Sequence, residues 1–566
     1  MLFLFRYICC VLVLFSSSVI AKPVTLTILP ELSSGFERNY NPFLPNVIGT
    51  AHEFVFEPLI IFREGKTAPP AYRLATAYSM DEDLTTLTIT LRDNVKWSDG
   101  YPFSNKDVAY TVELMRKHPE LDYNGISDWV ESVKVLPGNN IKIFLKKPNA
   151  QFIYQLVSMP VVPEHQWRNI KNPETFANPE PIGTGPFTQI TAFSENDVVQ
   201  CRNPFYWQQK TLHIDCISYL RAATNDALIS ALAEGTYDWT SAFIPDIERN
   251  YASYSEDYHY YHAPASTVSL MMNFGHANPV LRKVMQSVDF RRGLSMAIRR
   301  DLLINIAAYG QAEAAHFASG LSQKYVDWID RDIAEQFVFY IRHHPVAATQ
   351  TLEKLNICDK NGDGWRELPD RSALTLSIMT PDGWTDFNTA AELVAESLQT
   401  AGFNVTAEKV PFSTYLKRLS AGDYTLAITN YPDGITPFRY FDAAFNSRYQ
   451  RPEHPRYAHH FYKNAYIDTL LQDYLLADTQ DKQRQIIQAL QKETAAQLIT
   501  IPLFNSVESV QYNTSRFTGW FNTPENTPDV PLVWPQWQER LLQVLALRPV
   551  NSEVLQGEPE TGDIVG

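Results

Sequence analysis

The chain has 566 residues, 45% hydrophobic and 20% charged, and its 48 basic against 63 acidic residues leave a net charge of −15. At ~150 residues per domain, that length allows two to four domains with large cores. The acidic balance excludes a phosphate-neutralising nucleic-acid binder, and an aromatic share of 13% excludes global disorder. The aromatic share exceeds what core packing demands, so some rings are expected to serve a ligand.

Residues 1–21 read as a secretory signal: Arg6, an apolar run over 7–15, then Val19-Ile20-Ala21 before Lys22. The run is well short of the ~20 residues that span a bilayer. Export to the periplasm with cleavage is therefore expected. Three cysteines follow the signal. Cys201 and Cys216 lie in two strand-like stretches around a polar turn, where they either meet across a hairpin or remain two buried thiols. Cys358 is expected to be buried.

The periodicity next predicts a helix over 225–234, closed by Gly235 and followed by a strand over 237–240. Residues 374–379 alternate with period two, 390–401 carry a helical apolar stripe closed by Gly402, and 403–410 alternate again. That is a βαβ unit with parallel strands. A helix over 414–421 then leads through Gly422 into a strand over 424–429. Open α/β sheets bind ligands outside the carboxyl ends of their strands. By that rule, 380–386 and 430–434 are candidate cleft loops, presenting Trp384, Asp386 and Asn430. Residues 551–566 read as a disordered acidic tail.

Catalytic motifs are scarce. There is no G-x-S-x-G, H-E-x-x-H or C-x-x-C, and the pairs His343-His344 and His459-His460 are adjacent and expected to be solvated. This favours a binder over an enzyme. One metal-like pattern occurs: Asp359, Asn361 and Asp363 alternate before Gly364, as in a calcium loop, with an Asx-rich turn as the ion-free alternative.

Phe56-Glu57-Pro58-Leu59, Val95-Lys-Trp-Ser-Asp-Gly100, Gly183-Thr-Gly-Pro-Phe187 and Asp289-Phe-Arg-Arg-Gly-Leu-Ser-Met-Ala297 resemble signature segments of family 5 extracellular solute-binding proteins. These serve ABC importers. Further segments, among them 238–247, 317–321, 382–388 and 512–520, resemble the periplasmic chitooligosaccharide-binding subgroup, with cello-oligosaccharide binders nearby.

The resemblance implies an α/β, two-lobed periplasmic-binding-protein-like fold (type II, cluster C) with an extra subdomain and a hinge. The first lobe would comprise 22–50, 176–275 and 508–550, with the extra subdomain at 51–175 and the second lobe at 276–507. It implies a Cys201–Cys216 disulfide, stacking platforms at Trp384 and Trp534, and hydrogen bonding by Asn225, Asp386, Asn430 and Arg456, with Tyr457 at the rim. Pro432 stands where the subgroup places an aromatic. The implied protein is a monomer without a cofactor, a structural calcium at 359–363 aside. It captures GlcNAc oligomers for an inner-membrane ABC permease and can also report to a membrane sensor kinase. The alternatives are an oligopeptide binder of the same fold and an exported glycoside hydrolase.

Overall fold

A computed structural model of the chain describes residues 22–29, 35–44, 47–63, 68–122, 125–157, 159–222, 225–244, 246–449, 459–522, 529–535 and 538–550. The expected signal and tail, Arg456 and Tyr457 lie outside the described residues.

The strand Thr375–Pro381 buries Leu376 and Ile378, and the helix Thr385–Thr400 buries Ala390, Val394 and Leu398 against the same core. Gly402, at φ 84°, turns the chain into Asn404–Val410, which pairs parallel with Thr375–Pro381. The helix Phe412–Ala421 leads into Leu426–Thr429, parallel to Thr375–Pro381 on its other side. A second parallel group forms from distant segments. Thr25–Leu29 lies between Cys216–Leu220 and Trp239–Thr240, with the helix Asn225–Ala233 connecting the latter two.

Two long strands join these groups into one sheet of eleven strands. Tyr258–Met272 and Thr500–Asn513 run antiparallel, with register irregularities between Pro264 and Thr267 and between Val268 and Ser269. At one end they meet Leu426–Thr429, and at the other Trp239–Thr240. Where the register slips, the core changes. Val510 and Tyr512 pack with the first group, whereas Val268, Leu270, Met272 and Phe504 pack with the second. The result is two lobes strung on a pair of crossing strands.

The first core also takes in a four-stranded antiparallel sheet ordered Ala75–Met80, Thr86–Leu91, Asn140–Leu145, Val130–Leu136, packed with the helix Asn105–Lys117. The signature segments are framework here. Trp97 is buried, and the amide of Ser98 donates to Gly183 O (2.9 Å) while that of Gly183 donates to Ser98 Oγ (3.2 Å). Glu57 is buried against Arg73 (2.6 Å), and its carboxylate accepts the indole N–H of Trp207 (2.8 Å). Arg291 donates to the Gln497 and Met285 carbonyls, and burial lowers its pKa to about 10.

Cys201 and Cys216 stand opposite one another on antiparallel strands and are joined by a disulfide. Two expectations need correction. Cys358 is free but only half-buried. His459 and His460 are fully buried rather than solvated. The His460 ring contacts the Ala444 carbonyl (2.7 Å) and accepts the Tyr462 amide (3.0 Å), and burial depresses its pKa to about 4. Adjacent histidines look polar in sequence. Here the backbone satisfies His460 inside the second lobe.

Candidate ligand cleft

The carboxyl ends of the parallel strands carry most of the candidate residues, as the topology requires. Thr375–Pro381 runs into Asp382-Gly383, with Gly383 at φ 85°, and the next helix starts at Thr385 with Trp384 as its N-cap residue. The loop expected through Asp386 is therefore shorter, and Asp386 lies in the first helical turn. Trp384 is 43% exposed. Its ring stacks on Phe412 at 5.4 Å and meets Phe387 edge-on at 5.2 Å. Phe412, itself 46% exposed, stacks in turn on Tyr415. The buried end of this ladder holds the exposed end in place.

Phe412 was absent from the sequence reading, although it follows the end of Asn404–Val410 just as Trp384 follows its own strand. The strand-end rule applied to that third strand would have found it.

Asn430 is exposed at the end of Leu426–Thr429, and its amide donates to Ser266 Oγ (3.0 Å) in the irregular stretch of the crossing strand. The rest of its loop is pinned. The Gly434 amide donates to the Tyr325 hydroxyl (2.8 Å), and Asp433 pairs with Lys324 at 3.3 Å. Asp433 is thus a nearly buried ion-pair partner. Burial raises the Asp386 carboxyl above the usual range, against lowering by the amides of Phe387 and Asp386 itself.

In the first lobe, Trp534 is half-buried, and its indole N–H donates to the Ser241 carbonyl (2.8 Å) immediately beyond Trp239–Thr240. The neighbouring amide of Val533 donates to Ser241 Oγ (3.0 Å), so the tryptophan is fixed to the strand end from two sides. Phe243 follows, 42% exposed, with its ring 5.5 Å from Tyr309 of the second lobe. Asn225 begins the helix Asn225–Ala233 after Cys216–Leu220; its side chain lies outside what is described. Trp384, Asp386 and Asn430 therefore share the strand-end edge of one lobe, and Trp534 and the backbone of Asn225 that of the other.

The 359–367 turn is built differently. Asp359, Asp363 and Glu367 bring carboxylate oxygens within 4.8 Å of one another. However, both Asp359 oxygens already accept amides, from Gly362 (2.7 Å) and Gly364 (2.9 Å). Asn361 and Asp363 accept the amides of Asp363 and Trp365. These bonds are those of an Asx-rich turn.

Residues 70–451 match the family described as bacterial extracellular solute-binding proteins, family 5 middle region. The chain belongs to this family. Its members are the binding proteins of ABC transporters, which take a solute and present it to a permease. A Deinococcus radiodurans relative named for ABC transporter binding is 23% identical over 69% of this chain and 68% of its own. A Brucella ovis relative named for peptide binding by an ABC transporter is 27% identical, over about half of each chain (50% and 53%).

Among solved structures, a periplasmic oligopeptide-binding protein of Thermotoga maritima superposes with a TM-score of 0.82 at 24% identity, covering 93% of this chain and 99% of that one. The same Thermotoga protein with mannohexaose bound gives 0.75, covering 94% and 99%. The fold is the two-lobed α/β periplasmic binding fold. No helix among the described residues is long and apolar enough to cross a membrane.

Proposed function

We propose that this solute-binding protein captures β-linked oligosaccharides, most specifically chitooligosaccharides, in the cleft between its lobes. It delivers them from the periplasm, as a monomer, to an ABC importer, and occupancy can also be read by a membrane sensor kinase. The observation that carries this reading is the exposed ladder of Trp384 and Phe412 at the ends of adjacent parallel strands, on the edge that also carries polar Asp386 and Asn430.

A β-linked pyranose presents flat C–H faces and an equatorial rim of hydroxyls. Indole and phenyl faces suit the first, and amides and carboxylates the second. Trp384 and Trp534 are assigned as platforms. Asn225, Asp386, Asn430 and Arg456 are assigned to the rim, with Tyr457 beside them. The reading includes no catalytic step and no resident cofactor, with a structural calcium at Asp359, Asn361 and Asp363 kept as a proposal.

The relatives' names favour a second reading, an oligopeptide binder of the same fold. A thermal-shift panel separates the two: chitotriose and chitotetraose, cellotriose, and tri- to pentapeptides. Stabilisation by chitin oligomers and not by peptides is expected. Stabilisation by peptides alone would replace the sugar reading, and a rise in reducing ends would point to a hydrolase.

A further inference from the structure

The strand Thr500–Asn513 crosses from one lobe to the other, and its alternation shows what faces the gap. Phe504 packs in the second core, and Val510 and Tyr512 pack in the first. Ser506 and Glu508 occupy the same face between them, because successive same-side residues on a strand are two apart. Neither joins a core, and both are half-buried.

The surroundings show which way that face looks. Two second-lobe groups act electrostatically on Glu508. They are Lys324, which holds Asp433 of the 430–434 loop, and Asp386, in the helical turn beside Trp384. Glu508 therefore lies within electrostatic reach of the strand-end loops, at the joint between the lobes. It stands opposite Ala263, so His262, one residue along, faces the other side of the sheet. Among the described residues the Glu508 side chain has no hydrogen-bond or salt-bridge partner, in contrast to those of Asp433 and Glu57.

We propose that Glu508 is a further ligand-contacting residue, its carboxylate accepting hydrogen bonds from sugar hydroxyls when the lobes close. This rests on the oligosaccharide reading and deepens it by adding an acceptor that no family motif points to. An unpartnered carboxyl at the joint of two lobes is costly to ionise in the empty protein. Burial, together with the Asp386 charge and against Lys324, raises its pKa to about 7. Two hydroxyl donors would repay that cost, since hydrogen bonds to a charged acceptor are the stronger kind.

The sign of the pH effect follows. Donors that favour the ionised form lower the carboxyl's pKa on binding, so a proton leaves as the sugar enters. Affinity then rises with pH through neutrality.

The test is calorimetric titration of the full-length mature protein with chitotriose at pH 6 and pH 8, each in two buffers of different ionisation enthalpy. The expected result is net proton release near pH 7 and an affinity about threefold or more higher at pH 8. In E508Q both the release and the pH dependence disappear, and binding weakens at pH 8. E508Q is isosteric, and its melting curve checks that it folds. Proton release in the parent is assigned to Glu508 by its loss in E508Q, because the raised carboxyl of Asp386 is also placed against the sugar. A parent that binds chitotriose with no proton release and unchanged affinity between pH 6 and 8, or an E508Q that matches the parent at both, overturns the assignment and leaves the sugar reading intact. A parent that binds no chitotriose overturns both.

Discussion

An indole with 43% of its surface in water is an expensive thing to keep unless something else covers it in use. Trp384 is also oriented: Phe412 stacks on it and Phe387 meets it as a T-shaped pair. The ring is preorganised, so little side-chain freedom is lost on binding. Trp384→Ala is expected to weaken oligosaccharide binding by ~2–4 kcal/mol, the cost of losing a central aromatic anchor. Titration calorimetry measures this, and unchanged affinity for every sugar the parent binds would remove Trp384 from the site. Trp534 differs because its N–H is already spent on Ser241 O. It can offer a ring face but no donor.

At the scale of elements, the signature segments turn out to join the lobe's frame rather than its cleft. Gly185 shows why: a Cβ there would lie 2.4 Å from the Phe54 carbonyl oxygen and 2.9 Å from the Val55 carbonyl carbon. The close approach lets the amides of Gly185 and Phe187 reach the Val55 and Phe54 carbonyls at 2.8 and 3.0 Å. Gly185→Ala must push backbone away from backbone and break that ladder. It is expected to cost ~3 kcal/mol or more in denaturant unfolding, while any protein that still folds keeps its ligand preference. The hairpin of Cys201 and Cys216 braces the other edge of the same lobe, where the sheet would otherwise end in the pair Asp197–Arg202 and Phe187–Phe193.

At the scale of the whole molecule, two backbone crossings carry all relative motion of the lobes. Both lie in the paired strands Tyr258–Met272 and Thr500–Asn513, and the register slips at Pro264–Thr267 where the cores change over. A bulge bends a strand and leaves groups unpaired, which makes this the soft point of an otherwise continuous sheet. The lobes already touch: the Ala150 amide donates to Leu475 O (2.7 Å), and the Gln311 side chain donates to Ile244 O (3.2 Å). Hinge closure around a ligand is the motion such an arrangement permits. Small-angle scattering is expected to give a smaller radius of gyration with saturating chitotetraose than without it. A ligand that binds without compaction would argue against closure.

Local order was legible in the sequence wherever a period could be counted. The βαβ run from 374 to 410, its glycine stops and the helix-to-strand steps follow from apolar spacing within ten or fifteen residues. The strand-end rule then placed Trp384, Asp386 and Asn430. What the sequence alone could not supply was long-range pairing. Nothing local marks Thr500–Asn513 as the partner of Tyr258–Met272, some 240 residues earlier, so neither the joint between lobes nor Glu508 beside it could be seen. The same limit explains His459 and His460, polar by type yet buried because distant elements close over them. Burial is a property of the assembled chain. Periodicity sets which side of an element is apolar, but only the tertiary structure decides what that side, and the polar side, will face.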